Sequence, residues 1–188
     1  PVLDAATAVD AAGPPVDAAG PPVDAGPSLR ERVEAADPFI SLGTPPFSVQ
    51  QALVSREAYG WFVASLAPID ASGHQPLDHV ALAGSATVTS VTFAQARDFC
   101  RAIDADLPTS DQWYAFARAK SGAVTVGPES EWTGPDADGV ALVREPRDRG
   151  REPNDPLYLS TSLAPGAGPE SVARATIGFR CARTPAGH

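Results

Sequence analysis

Methionine is absent from all 188 residues, position 1 included, so the chain is expected to be an internal fragment or a processed form. No apolar run approaches the roughly 20 residues of a membrane span. Any signal peptide, lipid anchor or transmembrane helix is therefore expected upstream of Pro1. Basic residues are scarce: 14 Lys and Arg face 23 Asp and Glu, for a formal charge of −9. A general nucleic-acid surface needs a basic face to displace phosphate counterions, so that class is set aside. Cysteine occurs only at Cys100 and Cys181, and no paired-cysteine zinc motif can be written. A Gly-x-Ser-x-Gly elbow and a Gly-x-x-x-x-Gly-Lys phosphate loop are missing too. A Ser–His–Asp triad assembles in space and leaves no linear signature, and nothing in the sequence points to one.

What is present is proline (20) and glycine (16), which favour loops, and 43% hydrophobic residues, which suffice for one core. Residues 1–38 hold Asp4, Asp10, Asp17, Asp24, Glu31, Glu34 and Asp37 against only Arg30 and Arg32, so most of the negative charge lies there. Within this stretch Ala12 to Ala18 recurs unchanged as Ala19 to Ala25. Two prolines in each copy forbid the helix that a seven-residue period would otherwise suggest. Extended, solvated chain is expected instead, with a reach on the order of 100 Å. Residues 1–38 are thus expected to form a disordered Pro/Ala/Asp-rich tether, and residues 39–185 a folded domain.

Strands are expected over Pro38–Gly43 and Phe47–Leu53. Ser55 then caps a helix in which Tyr59, Phe62, Val63 and Leu66 share a face, and Pro68 stops it. Residues 69–90 look like loop. Thr92 with Gln95 and Thr109 with Gln112 form two capping boxes. The helices that follow turn Ala96, Phe99, Cys100 and Ile103, and Trp113, Phe116 and Ala117, inward. Short strands are expected near 123–126, 140–143 and 177–182. Two to three helices on short, loop-rich strands define an α+β fold.

Four segments, taken in order, carry a resemblance. They are Val54 to Phe62; Val91 to Cys100 with Leu107 to Trp113, Ala117 and Arg118; Glu131-Trp132-Thr133; and Ile177 to Arg183. Together they resemble the formylglycine-generating enzyme (sulfatase-modifying factor) family. The resemblance implies an irregular C-type-lectin-like fold. It also implies a disulfide between Cys100 and Cys181, as in some members, where the alternatives are two free thiols or a redox pair. Such a bond would close a long loop and contribute about 4.5 kcal/mol by chain entropy, less any strain. Family enzymes oxidise a substrate cysteine with O₂ at a copper ion held by two cysteines between the Glu-Trp-Thr and Gly-Phe-Arg segments. Residues 134–176 contain no cysteine, so those soft thiolate ligands are missing. The usual Arg-Gly-Gly-Ser-Trp is reduced to Arg144-Glu145-Pro146-Arg147-Asp148. The stretch from Lys120 to Glu131, where family calcium sites fall, is short, and no calcium is inferred.

Other constellations are weaker. His74 and His79, with Asp78 between them, stand at a spacing that does not suit helix-borne metal ligands, so a solvated loop is expected; His188 is terminal. Asp104 and Asp106, and Asp136 and Asp138 before Gly139, hint at calcium loops but lack the distal acid, so turn chemistry is expected. Arg144, Arg147, Arg149 and Arg151 form the only basic cluster, interleaved with Glu145, Asp148 and Glu152. They read either as a solvated loop or as the lining of a binding groove, with Trp132 and Tyr158 adding flat apolar surface, although for Trp132 a core place is the stronger expectation.

The expected function is a catalytically inactive extracytoplasmic binding or sensing module, in the periplasm or on a cell surface, with no cofactor and no catalytic residue. Its partner would be a peptide, glycan or envelope component, and a monomer is expected. Membrane association would come only through an anchor upstream of Pro1. The alternatives are a copper-dependent oxidase using Cys100 and Cys181, and a passive spacer domain of an envelope protein.

Overall fold

Four helices begin on a hydroxyl that satisfies their own first turn, three of them where the sequence marks it. Thr92 Oγ1 accepts the Gln95 N–H at 3.2 Å while Gln95 Oε1 accepts the Thr92 N–H at 2.7 Å. Thr109 and Gln112 repeat the exchange at 3.2 and 2.9 Å. Ser55 Oγ accepts the Ala58 N–H at 3.1 Å. Each such cap is worth about 1 kcal/mol. The computed structural model describes residues 26–44, 46–119, 128–134, 142–144 and 176–185.

In chain order the elements are α1 (Leu29–Ala36), β1 (Phe39–Leu42), β2 (Phe47–Gln50), α2 (Arg56–Ser65), α3 (Pro68–Gly73), α4 (Phe93–Ala102), α5 (Ser110–Arg118), β3 (Ser130–Thr133), β4 (Leu142–Arg144), β5 (Ile177–Phe179) and β6 (Ala182–Arg183). They form an α+β fold with two small sheets. One has the order β1-β2-β6 and is antiparallel. The other has the order β4-β3-β5, in which β3 runs antiparallel to β4 and parallel to β5.

The tether boundary needs correction. Composition assigns residues 1–38 to disordered chain, yet Leu29–Ala36 is helix α1. Ser28 and Glu31 close a capping box, Val33 is fully buried, and Leu29 packs partly against the core. Residues 1–25 lie outside the described residues. A second helix, α3, also falls where loop was expected. Helix α2 does end before Pro68, at Ser65, and Pro68 also opens α3 from its first turn, where its missing N–H costs nothing. The strand expected at 123–126 lies outside the described residues, and the one at 177–182 divides into β5 and β6.

The core is aromatic. Phe99 meets Tyr59, Phe62 and Phe179 at centroid distances of 5.8, 5.6 and 5.4 Å. Burying side chains of this size contributes about 1.5–3 kcal/mol each. Backbone bonds stitch the segments together: Val54 N–H to the Phe179 carbonyl at 2.9 Å and Val88 N–H to the Val54 carbonyl at 2.9 Å. The segments around Val54–Phe62, Val91–Ile103 and Ile177–Cys181 thus share one core.

Cys100 of α4 and Cys181, between β5 and β6, form a disulfide with their Cα atoms 5.4 Å apart. Next to it, Arg180 reaches Glu131 with two bonds at 2.7 and 2.8 Å, both side chains being wholly buried. The Arg180 guanidinium also lies 4.6 Å over the Phe116 ring. Disulfide and ion pair together fix where β6 runs, and β6 forms one wall of the cleft described next.

Candidate functional site

Helix α4 ends with Ile103 as its C-cap, and Asp104 follows in the left-handed region at φ 56°. Asp tolerates this conformation better than most residues because its short polar side chain can bond locally. The reversal is closed by the Ala105 N–H bonding the Cys100 carbonyl at 2.9 Å. The chain then passes β6, where Asp106 and Ala182 exchange backbone bonds of 3.0 and 2.7 Å. At Pro108 it meets the end of β3, whose Gly134 N–H bonds the Pro108 carbonyl at 2.7 Å. A Cβ at Gly134 would lie 3.3 Å from the Leu107 oxygen, so the close approach favours glycine.

These turns enclose an open cleft of about 450 Å³. Arg97 of α4, Asp104, Asp106, Thr109 and Gln112 at the start of α5, and Arg183 and Thr184 at β6 contribute its polar groups. Arg97 grips Asp106 through Nε and Nη2 at 2.9 and 3.0 Å, and the Leu107 N–H adds a third bond to that carboxylate at 2.8 Å. Gln112 Nε2 donates to Thr184 Oγ1 at 3.0 Å. Across this bridge lies a smaller, more apolar hollow of about 270 Å³ lined by Pro46, Phe47 and Ala115.

Arg183 ties the rim to three other segments. Its Nη2 donates to the Ile103 carbonyl at 2.6 Å and its Nε to the Asp104 carbonyl at 3.2 Å. Its Nη1 meets Glu34 of α1 at 2.6 Å, and its guanidinium lies 4.0 Å over Phe39. Arg30 of α1 holds the Asp104 carboxylate at 3.0 Å and Glu34 at 2.7 Å. The bond from Arg30, reinforced by Arg183, holds the Glu34 carboxyl below its ordinary range despite some burial. Carboxylates, guanidinium groups, hydroxyls and an amide thus line one concavity, suited to holding a polar ligand.

The groove expected from sequence is not built from Trp132 and Arg144. Trp132 is fully buried and its indole N–H is spent on the Val91 carbonyl at 3.1 Å. Arg144 is buried as well, donating to Ser110 Oγ at 2.7 Å and lying 5.1 Å over the Tyr114 ring. The Glu-Trp-Thr and Gly-Phe-Arg segments pair directly, with Trp132 opposite Phe179, so no gap separates them there. Arg147, Arg149, Arg151 and Tyr158 lie outside the described residues, as do Asp136, Asp138 and His188.

His74, expected in a solvated loop, is packed: Nδ1 meets the Asp70 carbonyl at 2.8 Å, Nε2 meets Asp98 at 3.3 Å, and the ring stands edge-on to Phe62. Asp78 pairs with Arg56 at 2.6 Å, while His79 is exposed. Asp104 is a turn residue as expected, whereas Asp106 sits on an antiparallel bridge to Ala182, and each also carries an ion pair. Among the described residues, no three His, Cys, Asp or Glu side chains are placed to hold a metal ion. No helix among them is long and apolar enough to cross a membrane.

Comparison with known proteins stops at this α+β description: no family model, curated protein or solved structure matches the chain.

Proposed function

We propose that the chain is a catalytically inactive binding or sensing module that works outside the cytoplasm, in the periplasm or at a cell surface. It would be a relative of the formylglycine-generating enzymes, built on a C-type-lectin-like variant of the α+β fold. The observation that carries this reading is the Cys100–Cys181 bond. The sequence holds two cysteines and both are consumed in it, so an oxidase that needs thiolates to hold copper finds no sulfur ligand here. Disulfides persist chiefly in oxidising compartments, which favours the location. The binding face is the cleft walled by Asp104–Leu107, the start of α5 and β6, and its partner is a peptide, glycan or envelope component.

The test is retention of the full chain on arrays of peptides, glycans and cell-envelope fragments, compared with Gln112→Ala and Thr184→Val. Specific retention by the native chain that both variants weaken tenfold or more supports the reading. Copper-dependent O₂ consumption with a cysteine-containing peptide, or retention that the variants leave unchanged, overturns it.

A further inference from the structure

We propose that α1 is a latch on the cleft, opening from the folded domain as one unit and, while closed, competing with ligand for two charges of the rim. This rests on the cleft being the binding face. Asp104 and Arg183 both line the cleft, and both are held from outside by α1. Arg30 meets Asp104 at 3.0 Å and Glu34 meets Arg183 at 2.6 Å, while Arg30 and Glu34 bond each other at 2.7 Å. A single charge chain, Asp104–Arg30–Glu34–Arg183, therefore runs across the helix and ends at both sides on the cleft. The helix presents a cation to the cleft's anion and an anion to its cation. A peptide segment carrying a basic and an acidic side chain at matching spacing would satisfy the same two groups.

The rest of the attachment is slight. Val33 is the one buried residue of α1, Leu29 packs partly, and Arg32 lies 4.5 Å over the half-buried ring of Trp61. An isolated helix of eight residues has no stability of its own in water, so detachment and melting are one event. Opening α1 takes Val33 out of the core cluster, while Cys100–Cys181 and Arg180–Glu131 pin the rest of it. Asp104 is 76% exposed and its pair with Arg30 is screened by salt.

The test is native-state hydrogen exchange on the ligand-free full chain, read at the Arg32 and Asp37 amides of α1 against the core of α4. The α1 amides exchange well ahead of the core, and about fivefold faster still at high ionic strength or in Arg30→Gln/Glu34→Gln, the pairs being worth roughly two- to fivefold each. Arg30→Glu, which sets a carboxylate beside both Glu34 and Asp104, speeds them more than Arg30→Gln does. Exchange of α1 only together with α4, or no response to these changes, overturns the latch. The competition is read by NMR with a synthetic peptide of residues 26–38 at millimolar concentration. It shifts the Asp104 and Arg183 amides in Arg30→Gln/Glu34→Gln more than in the native chain. Equal or absent shifts overturn the competition, whereas the array result alone decides the cleft.

Discussion

Arg180 and Glu131, 49 residues apart in sequence, face each other with two parallel hydrogen bonds and no exposure to solvent. Removing one partner leaves a buried charge uncompensated, which costs more than the pair contributes. Glu131→Ala is therefore expected to lower stability by about 3–5 kcal/mol, read as a shift of the urea midpoint. Glu131→Leu combined with Arg180→Met should recover most of the loss, because neither charge is then stranded.

The Cys100–Cys181 bond spans 81 residues and restricts the unfolded chain. Replacing both cysteines by Ser, or reducing them, is expected to cost about 4.5 kcal/mol on the chain-entropy account. Urea titrations with and without reductant measure it, and non-reducing peptide mapping shows the link directly.

Gly60 lies inside α2, where Ala would ordinarily be better by about 1 kcal/mol. Here a Cβ would stand 2.7 Å from the backbone oxygen of Leu82, which cannot rotate away. Overpacking outweighs the gain in propensity, and Gly60→Ala is expected to lower stability by roughly 1–3 kcal/mol in thermal or urea melts.

Two carboxyls should move stability in opposite directions with pH. Burial raises Asp37 above the ordinary value of 3.8, with a backbone bond from Ser55 opposing only part of the rise. Its contribution is complete below that value and disappears as pH climbs through the raised one. Asp78 is lowered, first by its bond from Arg56, so its contribution is present above 3.8 and vanishes as pH falls through the depressed value. Between pH 3 and pH 7, Asp37→Asn should gain on the native chain while Asp78→Asn falls behind it. Denaturation curves of the three proteins across that range check both signs.

Local chemistry made much of the fold legible. The boxes Thr92–Gln95 and Thr109–Gln112 and the cap Ser55 are short-range signals, and the helices start where those residues say. The same signal was available for α1, since Ser28 and Glu31 have box spacing and Leu29 and Val33 share a face, but the surrounding Pro/Ala/Asp composition masked it. Helix α3 buries no residue, so periodicity had nothing to register. The cleft was illegible for another reason. Asp104 and Asp106 looked like turn residues, and only the pairing of β6 with the chain after α4 places Arg183 and Thr184 beside them. Arg144 is the opposite case: an arginine in a run of arginines suggests a surface that binds, while its burial depends on partners distant in sequence; Trp132 takes the core place that was the stronger expectation for it.

The disulfide has a mechanical side as well. A pull applied at the two ends of the described chain is carried from α4 to Cys181 through a covalent link. The chain between the cysteines, a sequence separation of 81, is then bypassed, locking away a contour on the order of 270 Å until the bond is reduced. Under tension the Arg180–Glu131 pair and the whole β4-β3-β5 sheet sit inside that protected span. Helix α1 and the strands β1 and β2 do not, so under load the chain would lengthen first at the end that carries the latch.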